Sequence, residues 1–162
     1  MKKIILMFFV YLLSVPPLLA KKLLELKSTE QPSTFVEQMQ QQSDPAVRDI
    51  ILESYINSLL KANPVQSNHG REQITYSVRG YREGQLVVTR EVHQAKGKLK
   101  KTTKLKVYGM GYSLDSSCSR NEQRCWVLYP NTDDRWLEIA YAPKAIKELE
   151  KGMGLLIREL QK

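Results

Sequence analysis

Residues 74–78 read Ile74-Thr75-Tyr76-Ser77-Val78, and residues 98–107 read Lys98-Leu99-Lys100-Lys101-Thr102-Thr103-Lys104-Leu105-Lys106-Val107. Apolar and polar side chains alternate through much of both, and a period of two marks a strand with one wet face and one dry face. Between them, Gln85 to Gln94 places Leu86, Val88 and Val92 on one face. Arg82-Glu83-Gly84 and Ala95-Lys96-Gly97-Lys98 separate the three runs. Strand-like runs joined by tight glycine-bearing turns predict hairpins, and hairpins in series predict an antiparallel meander. The run that begins at Leu99 is expected to reach about Tyr112. Trp126–Tyr129 and Trp136–Tyr141 follow on either side of the turn Pro130-Asn131-Thr132-Asp133-Asp134, for about five strands in all.

Helices flank this sheet. Ser43 or Asp44 is placed to cap a helix with Pro45 in its first turn. Val47, Ile50, Ile51, Tyr55, Ile56, Leu59 and Leu60 then keep a 3.6-residue rhythm, and Asn63-Pro64 ends it. At the other end Pro143 opens a second helix in which Ile146, Leu149, Met153, Leu156 and Leu160 step by three and four. Gly152 and Gly154 each cost a helix interior about 1 kcal/mol relative to alanine, so this helix is expected to rely on tertiary packing. The pair reads as a tolerated weak spot; close backbone approach to a partner is the alternative. The fold class is therefore α+β: an N-terminal helix, an antiparallel meander of about five strands, and a C-terminal helix packed on the sheet. This order resembles the cystatin-like and nuclear-transport-factor-like superfolds. The resemblance is one of element order with no motif behind it, and it implies no function.

Residues 1–20 read as a secretory signal peptide. Lys2 and Lys3 precede an apolar run from Ile4 to Val15, and Pro16-Pro17 leads to Leu18-Leu19-Ala20. The run is short for a span, which needs about 20 apolar residues. Cleavage is expected after Ala20. Leu18 is larger than the ideal residue at its place, and an uncleaved inner-membrane anchor is the alternative. Residues 21–43, rich in Gln and Ser, are expected to form a mobile N-terminal segment with a short helix near Thr34–Gln41. Residues 44–162 form one α+β domain. The expected location is outside the cytoplasm, periplasmic or secreted.

The cysteine count agrees with export. Cys118 and Cys125 are the two cysteines, they flank a polar segment, and a disulfide there would staple a turn between two strands. The spacing lacks the two-residue gap of a thioredoxin-type redox pair, and no further ligands accompany it for a metal. The chain carries a net charge of +8, and excision of residues 1–20 removes two lysines and no acid. A basic exported protein meets anionic surfaces. The expected partners are an envelope protein or an anionic ligand such as a lipid headgroup or phosphorylated glycan, with peripheral membrane contact as a further option. Nucleic acid is disfavoured outside the cytoplasm. The residues do not specify an oligomeric state.

The most distinctive surface feature is the lysine run. Alternation along a strand puts Lys98, Lys100, Lys104 and Lys106 on one face, with Thr102 among them, and Leu99, Leu105 and Val107 on the other. A row of cations attracts phosphate, carboxylate or sulfate; it also keeps a sheet edge from self-pairing. These four lysines are the candidate ligand- or partner-binding residues. No catalytic residue, metal site or cofactor is expected: there is no nucleophile elbow, no phosphate-cradling glycine loop and no metal-ligand spacing. His69 and His93 read as surface histidines, and a small periplasmic hydrolase built on either is one alternative. Another is a subunit of a secretion, pilus or DNA-transfer apparatus that docks through the C-terminal helix, with Ile146, Leu149 and Leu156 partly exposed. The aromatic and glycine pattern Tyr108-Gly109-Met110-Gly111-Tyr112 reads as a strand bulge. Of Trp126 and Trp136, at least one is expected in the core. The function expected overall is that of an exported, non-enzymatic binding or accessory protein.

Overall fold

The computed structural model describes residues 44–67 and 69–162. The expected signal peptide and the segment 21–43 lie outside the described residues. The chain forms α1 (Pro45–Ala62), then β1 (Val65–Ser67), β2 (Glu72–Tyr81), β3 (Gln85–Gln94), β4 (Gly97–Lys106), β5 (Ser116–Ser119), β6 (Arg124–Leu128) and β7 (Arg135–Ala140), and closes with α2 (Pro143–Leu160). The fold is α+β, with a helix at each end of the antiparallel strands. The strands divide into two sheets, one in the order β1-β2-β3-β4 and one in the order β5-β6-β7. Two of the seven, β1 and β5, have only three and four residues, too few for a period of two to register.

The helix signals act at the residues that carry them. The Asp44 carboxylate accepts a hydrogen bond from the Ala46 N–H at 2.9 Å, and Pro45 occupies the first turn of α1. After Ala62, the Asn63 side chain donates to the Leu59 carbonyl at 2.9 Å and helps close the helix. The buried stripe of α1 is narrower than its apolar rhythm: Leu52, Ile56 and Leu60 are buried, whereas Ile50 is 68% exposed.

Side chains fasten α1 to the edge of β2. Strand β1 pairs only with residues 72–74 of β2. Beyond it, the Asn57 side-chain amide donates to the Val78 carbonyl at 2.9 Å and accepts from the Val78 N–H at 2.8 Å. Glu53 accepts from the Gly80 N–H at 2.7 Å. One helix thus satisfies backbone groups that an edge strand would leave open. Burial raises the pKa of Glu53 above the ordinary glutamate value, an effect that the hydrogen bond from Gly80 and the charge of Arg79 oppose.

A single large core joins the parts. Ile56 and Leu60 from α1, Val78, Leu86 and Val88 from the first sheet, and Cys125, Val127, Leu137 and Ile139 from the second meet Ile146, Leu149, Met153, Leu156, Ile157 and Leu160 of α2. A satellite cluster of Val65, Ile74 and Val92 caps one end of the first sheet. The apolar seam of α2 lies inside the molecule, with Ile146 1% exposed and Leu149 and Leu156 fully buried. The partial exposure of these residues that was expected of a docking helix is therefore not found, because the sheets and α1 already cover them.

Gly154 is a point of close approach and not a weak spot. A Cβ there would collide with the Tyr112 carbonyl oxygen, so α2 packs directly against the chain's own backbone. Residues 108–115 form an irregular connection, so the β4 run ends at Lys106 and the expected strand bulge is a turn. Gln161, just past α2, donates to the carbonyls of Val107 at 2.6 Å and Met110 at 2.8 Å and ties this connection down. At the β2–β3 turn Gly84 has φ +67°, and the Tyr108 ring fills the space its missing side chain leaves.

Thermal and urea unfolding check both fastenings. Asn57→Ala leaves two backbone groups of Val78 without partners and is expected to cost about 2 kcal/mol. Gly154→Ala is expected to destabilise by a similar amount, about 1–3 kcal/mol, because a methyl forced into a filled space outweighs the gain in helix propensity. An unchanged midpoint for either variant would contradict the contact assigned to it.

Candidate functional site

Among the described residues, strand β4 is the free edge of the four-stranded sheet. It runs ten residues without a bulge or proline, and every residue except Leu105 is exposed. Its register with β3 sets Lys98 opposite His93, Lys100 opposite Glu91, Thr102 opposite Thr89, Lys104 opposite Val87 and Lys106 opposite Gln85. The four candidate lysines therefore share one face, and Arg79 of β2 belongs to the same face through its pairing with Val87. Among the paired positions of β2, β3 and β4 on this face, the sole acid is Glu91.

Glu91 organises one end of the row. Its carboxylate lies 2.6 Å from Lys98 Nζ, 3.8 Å from Lys100 Nζ and 3.7 Å from His93 Nε2. The hydrogen bond from Lys98, together with the charges of Lys98 and Lys100, holds its pKa below the ordinary glutamate value. The other end differs: among the described residues no acid comes within ion-pair distance of Lys104 or Lys106. The middle is neutral, with Thr89 Oγ1 3.3 Å from Thr102 Oγ1. The face is a positive strip with one internal counter-charge near its start.

The opposite face of β4 is dry only in part. Leu105 sits beside Leu86 and packs on the core, but Leu99 is 60% exposed. Leu99 thus lies on the face that alternation gives it, at an end of β4 that is left open. Lys101 and Thr103 lie on this same face, together with Arg90 of β3.

The two histidines are apart in role. His69 stands in the exposed turn between β1 and β2, with φ 56°. His93 belongs to the wet face of β3, and its Nε2 is 3.5 Å from Thr75 Oγ1. A polar depression of about 220 Å³, lined in part by Ser113, Asp115, Asn131 and Asp133, includes neither. No group of three or more His, Cys, Asp or Glu side chains is placed to hold a metal among the described residues. Trp126 is buried, 3% exposed, with the Arg135 guanidinium 3.7 Å above its ring centre, and Trp136 is half-buried.

Cys118 and Cys125 form the expected disulfide, as directly opposed residues of β5 and β6. No helix among the described residues is long and apolar enough to cross a membrane. Sequence reasoning missed Glu91 as the partner of Lys98 and Lys100. Its link to them depends on hairpin register, although the short turn at residues 95–96 gave a means of counting back to it.

Lys98→Met removes both the charge and the hydrogen bond that lower the Glu91 pKa. The Glu91 titration midpoint, followed by carboxyl NMR shifts, is expected to move up toward the ordinary glutamate value. A midpoint unmoved by the substitution would mean that the contact does not form in solution.

Comparison of the chain with protein-family models, with curated proteins and with solved structures finds no match.

Proposed function

We propose that this is an exported, non-enzymatic binding or accessory protein that holds an anionic partner on the wet face of β4. The observation that carries this reading is the strip of Lys98, Lys100, Lys104 and Lys106 on one exposed strand face with Glu91 as its only counter-charge among the described paired positions. Four cations spaced along about 27 Å of strand form a linear electrostatic target suited to an extended polyanion or an anionic surface. Lys104 and Lys106, without acidic neighbours among the described residues, carry most of the uncompensated field.

Export is the second part of the reading. It rests on the signal-like residues 1–20 and on a disulfide that persists in an oxidising compartment. Both support a periplasmic or secreted location, where a component of the cell envelope would be the partner.

Two experiments test these parts separately. Lys100→Gln, Lys104→Gln and Lys106→Gln in one chain should leave the thermal midpoint nearly unchanged and weaken binding to anionic vesicles or an acidic protein at low salt by at least tenfold. Added salt should weaken wild-type binding steeply. Equal binding by the wild type and the triple variant would remove the strip from the function. Intact mass of the protein from an envelope fraction should show a chain starting at Lys21 with both thiols shielded until reduction. A full-length chain with two free thiols would overturn the export reading.

A further inference from the structure

Backbone hydrogen bonding along β4 can be assigned residue by residue. Val78 gives both its N–H and its C=O to Asn57, so the even-numbered residues of β2 face away from β3. The antiparallel register then makes the odd-numbered residues of β3 bond to β2 and its even-numbered residues bond to β4. Val107 N–H donating to the Gly84 carbonyl at 2.8 Å follows the same parity. On β4, therefore, residues 99, 101, 103 and 105 bond to β3, and Lys98, Lys100, Thr102, Lys104 and Lys106 turn their N–H and C=O groups outward. The residues with free backbone groups are the same ones that carry the lysine strip.

On the other face of the same edge lies a cleft of about 180 Å³. Tyr76, Arg90, Lys101 and Thr103 line it from the four-stranded sheet, and Tyr129 and Trp136 line it from the connection and strand of the second. The Tyr129 and Trp136 rings meet edge to face, 5.6 Å between centres. Glu138 is engaged by Arg124 at 3.1 Å and by the Tyr76 hydroxyl at 3.4 Å, and it is 4.0 Å from Arg90. The cleft is the size of one aromatic or large aliphatic side chain and opens beside β4.

We infer that β4 accepts an extended acidic segment of a partner protein as a fifth strand. Its acidic residues would stand opposite Lys100, Thr102 and Lys104, and an alternate apolar or aromatic side chain would enter the cleft between Lys101, Thr103 and Trp136. This deepens the proposed anionic-partner function and rests on that reading. Three features of the edge select this occupant. The edge is ten residues long, without a bulge or proline, so the one device that guards it is its lysines, and like charge bars a basic strand but not an acidic one. A second copy of β4 would bring lysines against lysines, which opposes self-pairing, while a strand with acids at every second position is complementary. Backbone pairing supplies affinity and the cleft supplies side-chain selection, the division of labour of strand addition.

The test uses the full chain and the seven-residue peptide Glu-Phe-Glu-Val-Glu-Phe-Glu, blocked at both ends. A second peptide of the same sequence carries N-methyl groups on its internal Glu amides, which keeps the charge and removes the donors. Hydrogen exchange is read at β4, and anionic vesicles serve as a separate ligand. The expected result is saturable binding of the first peptide and slowed exchange at the Lys100, Thr102 and Lys104 amides. The Lys101 and Thr103 amides, already bonded to β3, should change little. N-methylation should weaken binding at least tenfold. Equal binding of the two peptides with no protection at β4 would overturn strand addition and leave the basic-face reading standing. Vesicle binding without peptide binding would do the same and identify a lipid surface as the occupant. Failure of both ligands would remove the anionic-partner reading along with the inference.

Discussion

The rest of the first sheet depends on the pair of hydrogen bonds between the Asn57 side chain and the backbone of Val78. A primary amide is the one side chain that offers a donor and an acceptor in the spacing of a peptide group, so Asn57 stands in for the strand that β1 is too short to provide. Glu53 extends the match by one more position, at Gly80. With this edge closed by a helix, the sheet keeps one long open edge, β4. The same pair of bonds marks the parity of backbone pairing in β2, and the hairpin register carries that parity to β4.

Burial on one side of the molecule leaves the basic strand free on the other. Helix α2 spends its whole apolar seam on the shared core, and Gly154 lets it come close enough to touch the 107–115 connection. That packing stops short of the β4 end that carries Leu99 and Lys101. The strand consequently overhangs, wet on the lysine face and only partly covered on the other. A cleft forms under the overhang because the Tyr129–Trp136 pair from the second sheet rises to meet it. The basic strip and the aromatic cleft are thus two faces of one strand.

Much of this architecture was legible in the residues. The Asp44-Pro45 start, the glycine-bearing turns and the period-two runs placed α1, β2, β3 and β4, and simple alternation put the four lysines on one face. The short strands β1 and β5 were not legible, since three or four residues cannot show a period. Gly154 was misjudged for a related reason: helix propensity measures a residue against water and its own helix, and the deciding contact came from Tyr112, forty-two positions away. The exposure of Leu99 was not legible either, because alternation tells which side a residue faces and not whether anything lies on that side.

The sequence by itself determined both helices, the long strands and their hairpin order, the disulfide and the lysine row, all of which rest on interactions between residues close along the chain. Only the tertiary structure decided that the strands split into two sheets, that Asn57 closes one edge while β4 stays open, and that Glu91 neutralises one end of the row. It alone decided that Lys101 and Arg90 share a cleft with Trp136. Local conformational preference and side-chain periodicity are written at short range, whereas edge closure, coverage and cleft formation depend on which distant surfaces meet. Those meetings are set by the packing of the whole core.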